Sequence, residues 1–436
     1  GLGDVTTLTY LNLGNNNLDD LPSTVGNLME LTTLILNRNK LTILPLTIGR
    51  LEKLVELDVT DNHTTSPPVE TVALGTKAII EFFHCLLQAR VKRRLEMSGL
   101  GLEAFPMEIE YMTYLTALDM SNNRIRELDT KLTSLVTLRI LSMHGNEMSN
   151  IPSHVAEMSQ LTELNFERNN LTEVNKRLAE LLLLRKVNLG HNMLTALPPM
   201  IYGGGVLLRH IREILLHHNE FTQFPHILVE MQSLQSLSLA HNAIVTVPET
   251  IGKLTNLTHM CMSHNRISGL PQGIGACTAI TDLDLQFNKL STLPPGIGTM
   301  NHLMKLNLIN NSLSRLPASL GSLEALTQLS LRDNQLTILP ASMNMLFNVQ
   351  VMSLSANRLY ELPPLIEDLT SLEVLTVSDN LLETLPSKIG NFRGLTQLAV
   401  SNNQVSLPCP MNHQFQSFIA KRCNPLVQRP CKVLLT

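Results

Sequence analysis

The chain has 436 residues, of which 44% are hydrophobic but only 4% aromatic and none tryptophan, so burial rests on Leu, Ile, Val and Met rather than on large rings. Its 33 basic and 37 acidic residues leave a formal net charge of -4, without the cationic surplus that neutralising phosphates requires, which argues against nucleic acid as a principal partner. The longest apolar stretches, around Leu181 to Leu184 and Ile79 to Leu87, are short or broken by charge, well below the roughly 18 residues of a transmembrane segment.

The sequence opens on Gly1 and is inside a repeating pattern by Leu8, so its start reads as that of a fragment or processed product. The pattern runs Leu, two residues, Leu, one residue, Leu, two residues, Asn, one residue, Leu, two residues, Leu-Pro. Its Asn position falls at Asn16, Asn39 and Asn62, then at Leu100, Asn123, Asn146, Asn169, Asn192, Asn219, Asn242, Asn265, Asn288, Asn311, Asn334, Asn357, Asn380 and Asn403. These are 17 repeats, and 14 of the 16 intervals are 23 residues. Such regularity predicts an α/β solenoid, a horseshoe whose short strands line a concave parallel sheet. Residues 1–68 hold repeats 1 to 3.

Within a repeat, Leu237 and Leu239 alternate with Ser236 and Ser238, which predicts a short strand with the leucines inward and the serines in solvent. The Asn that follows carries two donors and an acceptor for backbone groups at the turn. Val247-Pro248, Leu293-Pro294, Leu316-Pro317 and Leu385-Pro386 then restrict the return path to a short helical or 3₁₀ turn. The pairs Ile48-Gly49, Ile251-Gly252, Ile274-Gly275, Ile297-Gly298 and Ile389-Gly390 close that turn, with glycine read as supplying backbone freedom rather than binding phosphate.

After Asn62 the interval lengthens to 38 residues. Following Pro67-Pro68, the segment 69–91 places Ile79, Phe82, Phe83, Leu86 and Leu87 at helical spacing, which predicts an inserted amphipathic helix. The basic run Arg90, Lys92, Arg93 and Arg94 that follows reads as complementing the helix C-terminus, with an acidic lipid or an import receptor as the alternatives.

Repeats 4 to 17 occupy 92–405, interrupted once by Gly203-Gly204-Gly205, which reads as a flexible loop. Outward strand positions carry mixed charges: Glu163, Glu167, Asp282 and Asp284 are interleaved with Arg168, Lys186, Lys305 and Arg332. Such alternation suits a protein partner of complementary charge. His191, His218, His241 and His264 all precede a ladder Asn, with His217 and His259 on the same face. At the roughly 4.8 Å spacing of strands these rings are expected to stack; solvated or partner-contacting imidazoles, a pH-sensitive patch and a metal site are the readings open to them. Phe287 is the expected exposed aromatic anchor. No catalytic constellation, cofactor loop or metal-ligand motif emerges; Cys261 lies near His259 and His264 but lacks a third group to orient them.

In 406–436 a C-terminal cap and tail replaces the repeat, with Asn412 capping a helix that lays Phe415, Phe418 and Ile419 over the core. The scatter of Cys85, Cys261, Cys277, Cys409, Cys423 and Cys431 favours a reduced compartment, with a disulfide-bonded cap from the last three as the alternative.

The unit of Leu-Pro, Ile-Gly and a further leucine, from about Leu8 to Val405, resembles the intracellular leucine-rich-repeat proteins, the plant Ras-group-related family and the repeat regions of Scribble-like proteins among them. The resemblance implies signalling or scaffolding, commonly with a small GTPase or a phosphatase. The expected function is therefore a non-catalytic, cytoplasmic protein-interaction scaffold with its partner on the concave face. Two alternatives stand beside it: an extracellular recognition or receptor module, for which Asn170-Leu171-Thr172, Asn256-Leu257-Thr258 and Asn310-Asn311-Ser312 match the glycosylation pattern, and the repeat region of a larger signalling enzyme.

Overall fold

A computed structural model describes residues 2–198, 201–202, 205–206, 210–386, 392, 394–406 and 432–434. The chain divides into two units, Gly1–Leu208 and Arg209–Thr436. In the first, β1 (Tyr10–Asn12), β2 (Thr33–Ile35) and β3 (Glu56–Asp58) form one parallel sheet. Helices α1 (Val69–Ala73) and α2 (Thr76–Lys92) follow. The parallel strands β4 (Arg94–Glu96), β5 (Ala117–Asp119), β6 (Ile140–Ser142), β7 (Glu163–Asn165) and β8 (Lys186–Asn188) then pair in sequence order. Where the triple glycine predicts a loop, β9 (Ile201–Tyr202) and β10 (Gly205–Val206) pair antiparallel, and Gly203 and Gly204 lie outside the described residues.

The second unit runs β11 (Glu213–Leu215), β12 (Ser236–Ser238), β13 (His259–Cys261), β14 (Asp282–Asp284), β15 (Lys305–Asn307), β16 (Gln328–Ser330), β17 (Val351–Ser353), β18 (Val374–Thr376) and β19 (Gln397–Ala399), each parallel to the one before. A last strand, β20 (Lys432–Leu434), pairs with β19. The expected cap residues Asn412, Phe415, Phe418 and Ile419, the cysteines Cys409, Cys423 and Cys431, and the pair Ile389-Gly390 lie outside the described residues. Among those described, Cys85, Cys261 and Cys277 are free thiols, and no helix is long and apolar enough to cross a membrane.

Most of the described return paths carry a five-residue 3₁₀ turn, as at Glu249–Lys253 and Gln272–Ala276, whereas that at Ile366–Asp368 has three residues. Pro248 and Pro271 precede these turns with φ near -73°, already set for the geometry and with no amide hydrogen to strand. At two turns without proline at this position a side chain does the capping: Asp129 accepts from the Lys131 amide and Asn175 from that of Arg177.

Most of the ladder asparagines are buried, Asn39, Asn123, Asn146, Asn169, Asn265, Asn288, Asn311 and Asn334 among them, and their amides bond on both sides. Asn288 Nδ2 donates to Met262 O at 2.9 Å and to Leu285 O at 3.0 Å, while its Oδ1 accepts from the Ile267 amide at 3.0 Å. One amide thus closes its own turn and ties two backbone groups of the preceding repeat. Asn146, Asn265 and Asn334 do the same. Leu100 stands in the ladder where the preceding layer is helical, and Thr71 Oγ1 of α1 donates to its carbonyl at 3.0 Å.

The glycines of the Ile-Gly pairs serve a different purpose from the one their position suggests. Backbone freedom is not what they supply, since Gly49, Gly252, Gly275 and Gly298 are absent from the positive-φ residues. They permit close approach: a Cβ at Gly252 would stand 2.7 Å from Gly273 O of the next turn, and at Gly275 it would collide with Gly296 O. Stacked 3₁₀ turns touch backbone to backbone here.

The segment expected as one helix over 69–91 holds two, and the longer, α2, has 17 residues and buries Ile79, Phe82, Phe83, Leu86 and Ala89. Leu87, expected on the buried face, is only half-buried, because Ala89 completes the inward stripe. Phe82 and Phe83 meet edge to face at 5.2 Å. At the edge of β3, the Leu57 amide donates to Thr76 Oγ1 at 2.8 Å, so a side chain takes the place of the next strand and the sheet is interrupted. Arg94 pairs with Glu96 at 3.3 Å, and Arg93 Nε donates to Tyr114 O at 3.2 Å.

Two stability outcomes follow. Asn288→Ala removes bonds to buried groups of two repeats and should lower the free energy of unfolding by about 1–3 kcal/mol in urea titration. Gly275→Ala should cost on the order of 1–3 kcal/mol by overpacking, whereas Gly269→Ala, whose new Cβ meets nothing within 4 Å, should leave the thermal midpoint essentially unchanged.

Candidate functional site

Because side chains alternate along each strand, every three-residue strand offers two outward positions, and the register carries them into columns across the sheet. In the second unit one column aligns His259 with Asp282 and Asp282 with Lys305; the next aligns Cys261 with Asp284 and Asp284 with Asn307. His259 Nε2 lies 3.6 Å from Asp282 Oδ2, and Lys305 Nζ lies 3.7 Å from Asp282 Oδ1. Asp282 thus holds two basic groups from opposite sides, with Thr281 Oγ1 donating to it at 3.2 Å. Asp284 accepts from the Gln286 amide at 3.1 Å and from the Cys261 thiol at 3.6 Å. Together with Ser238, Gln328 and Ser330, these residues line an open trough of about 570 Å³ on the strand face.

Beyond the strands each chain turns through one residue in the left-handed region, just before the ladder Asn. All 17 such positions have positive φ, from Asn15 at 57° to Asn402 at 55°, with Gly99 at 73° and Gly145 at 65° among them. Asn, Asp, Gly and His tolerate this region best, which gives the histidine row a backbone reason. Identical backbone geometry at strand spacing then sets the rings parallel. His218 and His241 stack at 3.9 Å and 9°, His241 and His264 at 4.0 Å and 10°, and His264 and Phe287 at 4.3 Å and 13°. His217 meets His218 edge to face at 5.8 Å.

Phe287 is the informative member. A bulky ring in the left-handed region, φ 53°, costs about 1–3 kcal/mol of backbone strain, yet it is 40% exposed. Its contact on His264 offsets part of that cost and leaves an aromatic surface beside the trough. Parallel rings send their nitrogen lone pairs along parallel lines rather than to a common point, so the stack of His218, His241 and His264 is a ledge rather than a chelate.

The remaining expected site residues lie elsewhere. Glu163 and Lys186 face each other in register on β7 and β8. Glu167 accepts from Asn188 Nδ2 at 2.9 Å and lies 3.5 Å from His144 Nδ1. Arg168 and His191 occupy left-handed positions of the first unit, and Arg332 pairs with Asp333 at 3.2 Å. The predicted residues are therefore several places, of which the trough and ledge form the one described in the second unit. The role of Cys261, Asn307, Gln328 and Ser330 in lining it depends on cross-strand register, visible in the 23-residue offsets that separate Ser238, Cys261, Asp284, Asn307 and Ser330.

Burial pushes the Cys261 thiol up, the hydrogen bond with Ser263 opposes this, and the Asp284 carboxylate adds to the rise. A half-buried thiol beside an acid is a poor nucleophile. The thiolate becomes available only above the ordinary cysteine range, so Cys261 in the folded chain should alkylate with iodoacetamide more slowly at pH 8 than a free cysteine and reach the free rate in urea. Mass spectrometry of the labelled site reads the difference.

Stacked three-residue strands, asparagine ladders and 3₁₀ returns define each unit as a leucine-rich-repeat solenoid. Family models described as leucine-rich repeat match residues 209–267 and 278–336, and another matches residues 7–28, so the chain carries the fold of the leucine-rich-repeat family. No curated protein matches it. Among solved structures it is similar to a leucine-rich-repeat protein of Leptospira interrogans, at 26% identity over 96% of this chain and 89% of that one, with a TM-score of 0.68. The plant peptide hormone receptor RGFR1, in complex with RGF2, is 27% identical over 92% of this chain and 72% of that one, with a TM-score of 0.60. The PEPR1–AtPEP1 structure gives 25% identity, 95% and 61% coverage and a TM-score of 0.61.

Proposed function

We propose that this chain is a protein-interaction module that receives an extended segment of a protein partner on the strand face of its second unit. The observation that carries the reading is the exposed aromatic ledge ending in Phe287, kept in a costly backbone conformation beside a polar, charged trough. Phe287 supplies the apolar contact of an interface hot spot. Asp282, Asp284, Lys305 and Gln328 supply directional polar contacts along the trough. Two of the structures it resembles are named as the plant peptide hormone receptor RGFR1 in complex with RGF2 and as PEPR1–AtPEP1; the first of these names, with the open trough here, supports a peptide-sized ligand.

In the fuller form of this proposal the module is a scaffold in intracellular signalling, without catalysis of its own, and its partner is a small GTPase or a phosphatase, the classes that the resemblance to intracellular leucine-rich-repeat proteins implies. A second reading, an extracellular receptor module, draws on the plant peptide hormone receptor RGFR1 named above. It also draws on Asn170 and Asn310, which are exposed within glycosylation patterns. Glycan occupancy at those asparagines in protein isolated from its source supports the second reading, and unmodified asparagines support the first.

The binding test is selection of short peptides by display on the immobilised chain, followed by titration of the selected peptide against variants. Phe287→Ala and Asp284→Ala should each weaken it about tenfold or more, the loss expected of a hot-spot truncation, with unchanged melting. Peptides that bind wild type and Phe287→Ala alike would place recognition elsewhere.

A further inference from the structure

A second surface lies in the first unit, at the rim where the chain enters each strand. The residue just before the strand is Arg93 at β4, Thr116 at β5, Arg139 at β6, Thr162 at β7 and Arg185 at β8. These are neighbours in space as well as in pattern: the Thr116 amide donates to Arg93 O, Arg139 to Thr116 O, Thr162 to Arg139 O and Arg185 to Thr162 O, each at 2.8 Å. Arginine therefore stands at every second layer of one hydrogen-bonded row. The spacing is legible as Arg93, Arg139 and Arg185 two 23-residue repeats apart, although the outward strand positions alone do not reveal it.

All three arginines are exposed. Among the described residues Arg139 and Arg185 stand in no ion pair, and Arg93 keeps its charge while its Nε donates to Tyr114 O. The threonines between them turn their hydroxyls to carbonyls, Thr116 to Arg93 O and Thr162 to Arg139 O, both at 3.1 Å, so they leave the guanidinium groups standing clear. Elsewhere on this chain exposed cations are commonly paired, as in Lys53 with Glu30, Arg126 with Glu147 and Lys131 with Glu110. On a chain of net charge -4, a row of three unneutralised guanidinium groups is a local reversal of sign.

We propose that this arginine row is a docking site for an acidic, extended segment of a protein partner, carrying a carboxylate at every third residue. Alternate strands are about 9.6 Å apart. A polyproline-II segment has three residues per turn and advances about 9.3 Å in that turn, so carboxylates at i, i+3 and i+6 share one face and match the row. Each guanidinium can meet its carboxylate through two parallel hydrogen bonds. On the strand side of the row stand Arg94, Ala117, Ile140, Glu163 and Lys186, so cations there are interrupted by two apolar residues and a carboxylate; a phosphate-lined duplex or a membrane surface would meet that mixed column on a chain of net acidic charge, whereas a single extended segment can follow the row.

The test is fluorescence anisotropy with the full chain and two labelled peptides of one composition, one with Glu at every third position among Pro and Ala, the other with the Glu residues contiguous. The spaced peptide should bind more tightly, and its affinity should fall as salt rises. Arg139→Ala with Arg185→Ala should weaken it by about fivefold to tenfold, the sum of two exposed charge contacts. Arg266→Ala with Lys289→Ala, which removes the same charge from the second unit, should bind as wild type. Equal binding of the two peptides, or equal loss in the two double variants, would overturn the proposal. So would tighter, Arg139- and Arg185-dependent binding of single-stranded DNA or of phosphatidylserine vesicles.

Discussion

The interaction on which everything else rests is the carboxamide of the ladder asparagine. It reaches backward to the preceding repeat and inward to its own turn at once, as Asn288 does with Met262, Leu285 and Ile267. Each buried backbone group it satisfies would otherwise cost about 1–3 kcal/mol. To present that side chain the backbone must turn sharply after the strand, and the left-handed residue before each Asn makes the turn. A short strand, a forced turn and a 3₁₀ return then follow from one geometric requirement repeated at a fixed interval. The leucines fill what lies between, and glycine appears on the return path where two turns come too close for a side chain.

That regularity also shapes the surfaces. In an irregular protein, neighbouring side chains are chosen one by one. Here any position in the repeat becomes a row running across strands, so a local choice is multiplied into an extended pattern. The stacked rings of His218, His241, His264 and Phe287, the ion pairs converging on Asp282 and the alternating arginine and threonine rim are three rows of this kind. Their spacing belongs to the sheet, and their chemistry to the residues placed on it. Recognition on such a face is a matter of matching a periodic array.

The fold was nearly all legible in sequence, because the 23-residue period is set by short-range backbone chemistry that allows few substitutions. The strand positions and the turn asparagines come directly from it, and the helix shows where the period breaks, through the spacing of Ile79, Phe82, Phe83 and Leu86. The roles of individual residues were less so. Gly275 carries the same letter whether it supplies positive φ or close approach, and only the position of Gly296 O decides. His241 reads as a candidate ligand until its φ of 52° supplies a backbone reason for it. Arg139 and Arg185 lie one residue before the alternating strand positions, at the rim, so the strand pattern does not mark them. Glu163 and Phe287, both placed on the outward face, turned out to belong to different units, since one-dimensional spacing does not mark where compact packing divides.

The interruption at the inserted helix has a bearing on cooperativity. In a linear array each layer is held by its two neighbours, and the strength of a joint decides whether unfolding on one side spreads to the other. Between β3 and β4 the strand-to-strand ladder is replaced by the packed face of α2 and by single side-chain contacts, Thr76 on Leu57 and Thr71 on Leu100. Hydrophobic packing resists separation but does not enforce register as a backbone ladder does. The first three strands can therefore open as a block while the layers after the helix keep their order, which makes the insertion a boundary of folding inside an otherwise uniform stack.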